Sequence, residues 1–484
     1  MPNHRWSFAA RVGGRQSVQF QELTWEAFPL HYAPSDLCGQ LEFALKYDGV
    51  NLEILRAWFE TLTQAEVGAL EGWVRSAPTS AYGRRAWFLY ELLTGRTLNV
   101  ADGSTGAYVP VLDPDTYFVA TERRSKRHRV LDNLFGSRDF CALVRRTPLL
   151  ERLSARRLNE RIGALLSGHD ADALTRVVSY LYTKETRSSY EIEREKPSTD
   201  KIKHFVAVLQ QAHDWPALSH DDLVKLQNLI VTDPRNRCSD YRDEQNYVGG
   251  PGPRDIAFVS PRPEDLRAMM VAWLRMVGRL AEADVDAVVA AAAASFAFVY
   301  LHPFEDGNGR IHRFLIHYLL ARKHFTPPGG LVPVSAAMLA RMKEYDAALE
   351  RFSVPLMVRV HYELDSEFRV EVRHDSSGFY RYPDLTAQAE ALYGWVSAAV
   401  EEDVPKELTF ILAYRDARQR VADIVELPDQ KAEHFVLGCI QQGGRLSNNL
   451  RRHKHFANLS IDESNEMEAA VRAAMVEHGM PVAP

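Results

Sequence analysis

The stretch HPFEDGNGRIHR, residues 302–313, connects two segments that the sequence predicts to be helical. The alanine-rich run from Ala287 to Leu301 is apolar throughout, which is typical of a buried helix. From Asn308 onward, apolar residues recur at helical spacing. Pro303 and two glycines interrupt the helix and predict a loop between the two segments. The sequence therefore indicates a mainly α-helical domain that presents this loop between two central helices.

The loop has the composition of an anion site. Gly307, Asn308 and Gly309 lie where the second helix begins, so free backbone N–H groups and the positive end of the helix dipole face outward. Arg310 and Arg313 are three residues apart and project from nearly the same face of the first turns. Cations are unfavourable at a helix N-terminus unless an anion lies between them. This arrangement favours a phosphate ligand.

Two further residue types complete a site for phosphorus chemistry. Asp306 is a carboxylate beside the predicted phosphate donors, which suits Mg²⁺ held by one or two carboxylates and phosphate oxygens, and Glu305 is a rival ligand. His302 lies at the mouth of the loop, where an imidazole can accept a proton at neutral pH. His312, inside the second helix, is less well placed. A structural alternative is a histidine that ends a helix, followed by a surface loop with ordinary salt bridges.

The stretch resembles the signature of the Fic family, HxFx(D/E)GNGRxxR. The resemblance extends more loosely over about residues 132–352 and implies a helical Fic-fold core with a β-hairpin flap. All specified positions of the signature are matched, by His302, Phe304, Asp306, Gly307, Asn308, Gly309, Arg310 and Arg313.

The resemblance implies transfer of AMP from ATP to a Ser, Thr or Tyr hydroxyl of a target protein. His302 would deprotonate the hydroxyl, Asp306 would hold Mg²⁺, and Phe304 would anchor the loop in the core. The phosphates would be bound by Gly307, Asn308, Gly309 and Arg310, with Arg313 at the γ-phosphate. The related Doc-type kinases alter the GNGR portion, which this chain keeps. Removal of AMP from a modified protein, or use of another nucleotide, remains an alternative for the same site.

Three residues in the segment 240–260 match the flap of the family. Tyr247, Val248 and Gly249 lie in NYVGG, where the family pairs a strand edge with the target segment. The alternative is a plain connecting hairpin. Tyr345 lies where the family often places an aromatic residue against adenine, although a core tyrosine is an equal alternative.

The stretch KETRSSYEIEREKPS, within a predicted helix over residues 183–196, resembles the inhibitory pattern (S/T)xxxE(G/N) of the family. Ser189 and Glu193 satisfy the spacing, and one helical turn places both on one face. The resemblance implies that Glu193 pairs with Arg313 and holds off the γ-phosphate of ATP. Arg194 replaces the expected Gly or Asn, so an ordinary charged helix is the alternative.

Three regions are predicted along the chain. Residues 1–130 form an N-terminal helical region, with helical spacing between Ser35 and Gly95 and an extended connection over residues 99–120. Residues 131–355 form the catalytic domain, helical from near Leu131 except for the flap. Residues 356–484 form a mostly helical C-terminal domain that starts with a short β segment. Within it, GCIQQGGRLSNNLRRHKHF is compatible with a helix-turn-helix, so a DNA-binding regulator is an alternative of another class.

Composition excludes several classes of protein. The chain has 484 residues, 46% of them hydrophobic, and a formal net charge of −6, so it is globular and has no global attraction to nucleic acid or anionic membranes. Four scattered cysteines form no CxxC pair, which argues against disulfides and zinc. We expect a cytoplasmic enzyme with ATP, Mg²⁺ and a target protein as partners, without membrane contact. Homo-oligomers are possible. Local basic clusters lie at residues 123–129 and 451–454.

Overall fold

The computed structural model describes most of the chain. It covers residues 4–20, 23–167, 171–212, 215, 217–231, 233–250, 255–367, 369–451, 456 and 459–483, without the side chains of residues 171–173, 234 and 448. The prediction of a mainly α-helical fold is confirmed. Parts of two predicted features lie outside the described residues: Pro251 and Pro253 of the flap, and Arg452, His453 and Lys454 of the second basic cluster.

The first described elements form a sheet, so the prediction that the N-terminal region is helical is wrong for the three strands between Arg5 and Pro29. Strands β1 (Arg5–Ala10), β2 (Gln16–Phe20) and β3 (Leu23–Pro29) form a sheet of order β1-β3-β2, with β1 parallel and β2 antiparallel to β3. Polar and apolar residues alternate in RWSFAA and in LTWEA, which is the strand period of two. A short 3₁₀ turn, Leu30–Tyr32, follows.

The predicted helices between Ser35 and Gly95 are confirmed. Gly95 ends the last of them in the left-handed conformation, at φ 70°, as a C-terminal glycine does. The four helices are α1 (Leu37–Tyr47), α2 (Leu52–Thr61), α3 (Gln64–Ser76) and α4 (Ala81–Thr94).

Residues near Leu131 are extended, so the prediction that helices resume there is wrong. A small sheet of order β4-β6-β5 contains β4 (Val109–Pro110), β5 (Arg123–Ser125) and β6 (Val130–Asp132). The next helix begins only at Pro148, where the Thr147 side chain accepts a hydrogen bond from the Leu150 N–H and proline occupies the first turn.

The central region then consists of helices interrupted by one hairpin. Five helices precede the hairpin: α5 (Pro148–Ser154), α6 (Leu158–Ser167), α7 (Ala171–Ile192), α8 (Thr199–Gln211) and α9 (His220–Ile230), followed by a 3₁₀ turn at Pro234–Asn236. The hairpin strands are β7 (Tyr247–Gly249) and β8 (Ile256–Val259). Five helices follow: α10 (Pro263–Glu282), α11 (Ala287–Leu301), α12 (Asn308–Arg322), α13 (Val334–Ala340) and α14 (Met342–Met357).

The C-terminal region is mostly helical, with a smaller β segment than the alternation after Pro355 indicates. Its strands are only β9 (Glu363–Leu364) and β10 (Val370–Glu371), and GFYR forms a short helix instead. The helices are α15 (Gly378–Arg381), α16 (Thr386–Ala398), α17 (Val404–Ile424, entered through a π-helical turn at Ala399–Asp403), α18 (Asp429–Gln441), α19 (Asn448–Arg451) and α20 (Ile461–Glu477).

The hydrophobic core surrounds α11 and α12, and it does not end at the predicted domain boundary of 355 and 356. Buried residues from Phe118 to Leu408 form one cluster, so α16 packs on the central helices. A second cluster joins α1–α4 to the β4–β6 region, and a third joins α17, α18 and α20. Within the described residues, we find no helix long and apolar enough to cross a membrane.

Candidate active site

The signature loop lies between α11 and α12, as the sequence predicts. Every residue of α11 except Ala287 and Val299 is buried, and the helix ends at His302, which is left-handed with φ 48° and ψ 58°. Phe304 is 1% exposed and packs near Phe298 and Tyr241, so it anchors the loop. Helix α12 starts at Asn308, after Gly307 at φ 91°.

His302 is arranged as a neutral base. Its Nδ1 lies 3.2 Å from the Val299 carbonyl oxygen, a contact that requires the proton on Nδ1 and leaves Nε2 to accept one. Burial, assisted by the positive charge of Arg242, lowers the pKa of His302 to about 4. The imidazole is therefore unprotonated at neutral pH.

Asn308 shapes the loop. Its Nδ2 donates to the Phe304 carbonyl at 2.6 Å, and its Oδ1 accepts from the Phe304 N–H at 3.0 Å. The sequence predicts Asn308 as a phosphate ligand, but in this structure both ends of its amide are used within the loop. Its side chain therefore holds the loop closed on the start of α12, which keeps the backbone N–H groups there in position.

Asp306 and Arg310 form an ion pair across the start of α12. The Asp306 Oδ1 accepts from the Gly307 N–H at 2.6 Å and from Arg310 Nη2 at 2.7 Å. Asp306 keeps 40% of its side chain exposed, whereas Arg310 is only 6% exposed. The carboxylate predicted to bind Mg²⁺ is therefore open to solvent beside the helix start, as is the exposed rival Glu305.

Arg313 is buried and bound by the end of α7. Its Nε donates to the Ser189 Oγ, and its Nη2 donates to the Ser189 carbonyl and to Glu193 Oε1, each at 2.7 Å. The guanidinium is 1% exposed, whereas the Glu193 side chain is 37% exposed, so a buried arginine meets a carboxylate that water reaches from one side. Burial opposes ionisation of Glu193, but the charge and hydrogen bond of Arg313 keep its pKa below the ordinary value. Glu193 is therefore an anion held at this helix start.

The Glu193 carboxylate occupies the place predicted for phosphate. A Cβ added to Gly309 would lie 2.0 Å from Glu193 Oε1, so the carboxylate rests directly on the glycine backbone. Glycine is required for this close approach. An anion at the positive end of α12 is favourable, whereas the same anion at the end of α7 is not. The position of Glu193 is thus explained by α12 and Arg313 and not by its own helix.

Helix α7 ends at Ile192 and not at residue 196 as predicted, because the chain forms a Schellman motif. The Arg194 N–H donates to the Glu191 carbonyl at 2.9 Å, and the Glu195 N–H donates to the Tyr190 carbonyl at 3.0 Å. Arg194 is left-handed, at φ 58°. This is the conformation for which Gly or Asn is preferred, so Arg194 adopts the geometry of the inhibitory pattern despite its side chain.

Arg194→Gly is expected to raise the free energy of unfolding by about 0.5 to 1 kcal/mol, because glycine removes the left-handed strain but adds entropy to the unfolded chain. Glu191→Gly, within the last turn of α7, is the matched control and is expected to lower it by about the same amount. Urea unfolding of both variants measures the difference. A loss of stability in Arg194→Gly would contradict the assigned motif.

Sequence reasoning missed the residue that anchors α7. Glu185 is 1% exposed in its side chain; it accepts from the Ser335 N–H at 2.8 Å and contacts His317 Nε2 at 2.7 Å. It lies two turns before Glu193, so it attaches the same helix to α12 and α13. In the sequence Glu185 is one of several glutamates in a polar stretch, and no local pattern distinguishes it.

The flap is attached to the signature loop. Arg242, which sequence reasoning also missed, donates from its backbone to the Pro303 carbonyl and from Nε to the His302 carbonyl, both at 2.9 Å. Asn246 donates to the Phe304 carbonyl at 3.2 Å. These bonds fix the base of the hairpin beside His302. An arginine that uses its side chain for backbone carbonyls has no sequence signature.

The predicted flap residues lie on the outer strand of the hairpin. Tyr247 pairs with Val259 and Val248 with Phe258 in an antiparallel arrangement, with an irregularity before Gly249. Among the described residues, β7 pairs only with β8, so its other edge is available to another chain. Val248 is 44% exposed and Gly249 is also exposed, whereas Tyr247 is half-buried.

Tyr345 is a core residue in this structure. It is 5% exposed, and its ring lies 5.7 Å from Trp395 and 6.3 Å from His312. The position of Tyr345 therefore fits the alternative of a core residue better than the prediction of an exposed ring that contacts adenine. His312 is fully buried as well, which leaves His302 as the histidine of the loop mouth.

Arg451, the described residue of the second basic cluster, lies in an internal ion pair. Arg451 Nη2 lies 2.6 Å from Glu468 Oε1, and Glu468 is 4% exposed. The described part of the predicted second helix is the four-residue α19. Arg451 thus stabilises the packing of α19 on α20. The rest of the basic cluster lies outside the described residues.

Comparison with known proteins finds similarity in the central part of the chain. Residues 217–320, which include α9, the flap, α11 and most of α12, match the sequence model of the Fic/DOC family. The chain is 36% identical over 245 residues to the protein adenylyltransferase Fic of Drosophila melanogaster, covering 50% of this chain and 42% of that protein. It is 28% identical over 210 residues to the protein of that name from Culex quinquefasciatus, covering 42% and 34%.

The chain spans about two fifths of the length of the Drosophila relative. Among solved structures, a Fic family protein from Desulfovibrio desulfuricans G20 is similar with a TM-score of 0.41 and 18% identity, covering 67% of this chain and 84% of that one. The signature loop at residues 302–313 lies within the matched segment. Residues 217–320 of this chain are therefore similar in sequence to the Fic/DOC family.

Proposed function

We propose that the chain is a protein adenylyltransferase that transfers AMP from ATP to a hydroxyl group of a target protein and is restrained by Glu193. The observation that carries the proposal is the position of the Glu193 carboxylate, which rests on Gly309 and is bonded to Arg313. This position shows that an anion fits there. The similarity to proteins named protein adenylyltransferase supports AMP as the transferred group.

In the proposed reaction, the phosphates of ATP bind at the start of α12 after Glu193 has moved away. The helix dipole, the glycine backbone, Arg310 and Arg313 stabilise the negative charge. Because Arg313 has one guanidinium to offer, Glu193 and the γ-phosphate compete for it. Only the state without Glu193 at Arg313 admits a complete triphosphate.

His302 is proposed to remove the proton of the acceptor hydroxyl. The Nδ1 contact with Val299 orients the ring and leaves Nε2 free to take the proton as the hydroxyl attacks the α-phosphorus. Pyrophosphate is then the leaving group, and AMP becomes attached to the hydroxyl oxygen. The free edge of β7 would bind the target segment as an added strand and so position the acceptor beside His302.

Mg²⁺ fits this site only together with the nucleotide. No group of three or more His, Cys, Asp or Glu side chains that could hold a metal is found within the described residues. Asp306 offers one solvent-accessible carboxylate beside the proposed phosphates, which is the usual situation for Mg²⁺ bound with phosphate oxygens. Bound there, Mg²⁺ would neutralise charge that develops on the leaving pyrophosphate.

The type of transfer is tested with ATP labelled in either the α- or the γ-phosphate. Glu193→Gly protein is incubated with cell lysate and Mg²⁺, and labelled proteins are separated and identified. Label from the α-position, without label from the γ-position, is the expected result. Label from the γ-position would indicate phosphorylation instead, and mass spectrometry of the products would reveal AMP removal or another transferred nucleotide.

The pH dependence of transfer follows from the lowered pKa of His302. Because the pKa of His302 is lowered to about 4, the base form persists down to that pH, and the rate is lost only as pH falls toward it. We therefore expect kcat/KM of Glu193→Gly protein to change less than about twofold between pH 8 and pH 5.5. A rate that falls tenfold per pH unit below about pH 6.5, the ordinary histidine pKa, would contradict this assignment.

A further inference from the structure

A second carboxylate from the end of α7 binds the other signature arginine. Glu195 Oε2 lies 3.0 Å from Arg310 Nη1, and Arg310 is 6% exposed. The Arg310 guanidinium also lies over the ring of Tyr190, 5.3 Å from its centroid. Arg310 is therefore covered by the same short segment whose Glu193 binds Arg313.

The Schellman motif explains how one segment reaches both arginines. The bond from the Glu195 N–H to the Tyr190 carbonyl reverses the chain after Ile192. Glu193 then faces Arg313, while Glu195 returns beside Tyr190 and faces Arg310. The two arginines are three residues apart on α12, and the two carboxylates are two residues apart around the reversal. The segment 189–195 thus carries two carboxylates, Glu193 and Glu195, whose spacing matches that of Arg313 and Arg310.

We propose that residues 189–195 close the nucleotide site at two points, with Glu195 on Arg310 as a second inhibitory contact beside Glu193 on Arg313. This inference rests on the proposed function. Both arginines are predicted phosphate ligands, so ATP must displace both carboxylates. Removal of Glu193 alone leaves Arg310 occupied, and the site is then only partly released.

Lys201 has a different part in this arrangement. Its ammonium group contacts Glu195 Oε1, the carboxylate oxygen that does not bind Arg310. When Glu195 leaves Arg310, it keeps a cationic partner on α8, which reduces the cost of opening. The variant Lys201→Ala is therefore a control. It removes the α8 partner of Glu195 and keeps the contact between Glu195 and Arg310, so it separates an effect of the α8 contact from an effect of the Arg310 contact.

The test compares wild type, Glu195→Ala, Glu193→Gly and the double variant by two measurements. Hydrogen exchange without nucleotide reports opening of residues 189–195, because the Arg194 and Glu195 amides are hydrogen-bonded in the closed motif and exchange when it opens. Calorimetric titration with ATP and Mg²⁺ measures how tightly the nucleotide binds to the site. We expect Glu195→Ala to speed exchange of these amides, and the double variant to bind ATP about three- to tenfold more tightly than Glu193→Gly. Lys196→Ala, at an exposed position just outside residues 189–195, is the control without effect.

Two results would overturn the second contact. One is a double variant that exchanges and binds ATP no differently from Glu193→Gly. The other is a Lys201→Ala variant that reproduces the effect of Glu195→Ala, since the effect would then come from the contact with α8. Faster exchange in the double variant without any binding of ATP would retain the two-point closure and contradict the proposed nucleotide site instead.

Discussion

Replacing Glu193 by glycine is expected to increase the incorporation of AMP from labelled ATP about 10- to 100-fold. The bond from Arg313 to Glu193 is charge-assisted and formed by a buried guanidinium, and such bonds contribute roughly 1.5 to 3 kcal/mol. Its loss leaves Arg313 available to the γ-phosphate. The gain should appear mainly as a lower KM for ATP, because the change affects access of the nucleotide and not the base.

The matched control for this variant is Lys196→Gly, which places a glycine at an exposed, non-helical position just beyond the segment without removing a contact to Arg313. Its rate is expected to equal that of the wild type. Both proteins are compared at equal concentration with α-labelled ATP and Mg²⁺. An unchanged rate in Glu193→Gly protein would refute the inhibitory role of Glu193.

Replacing His302 by alanine in Glu193→Gly protein is expected to lower AMP transfer by about 10² to 10⁴, the usual contribution of a positioned general base. ATP binding should be retained, because the phosphates are bound from α12 and not by the imidazole. Initial rates and calorimetric titration of ATP measure the two properties separately.

The control for the base is His204→Ala, which removes an exposed histidine on α8. It should change neither property, and melting temperatures of both variants verify that they are folded. Retention of full transfer activity by His302→Ala would remove the assignment of the base. Loss of ATP binding would show instead that the loop itself had changed.

The sequence allowed prediction of the loop because its local chemistry is unusual. A proline, two glycines and an asparagine between two apolar helical segments leave little conformational choice, and α11 and α12 begin or end within a residue of the predicted positions. Such features are short-range, and single-sequence reasoning handles them well. The pairing of Glu193 with Arg313 was implied instead by the resemblance to the family's inhibitory pattern, because the two residues lie 120 positions apart along the chain.

Other features depended on contacts between distant segments. The pairing of β1 with β3 links strands separated by a further strand, and each strand has only five to seven residues. Glu185 and Arg242 have buried partners that lie 132 and 60 residues away along the chain. The left-handed conformation of Arg194 contradicts the local preference of arginine, and the residues on either side of it, Glu193 and Glu195, are bound by arginines of α12. None of these can be read from a window of neighbouring residues.

The most direct test of the central claim is a crystal structure of Glu193→Gly protein with Mg²⁺ and a non-hydrolysable ATP analogue. We expect a γ-phosphate bound to Arg313, phosphate oxygens on the Gly309 backbone, and the α-phosphorus facing His302 Nε2. A nucleotide bound elsewhere, or one whose α-phosphorus faces away from His302, would contradict it.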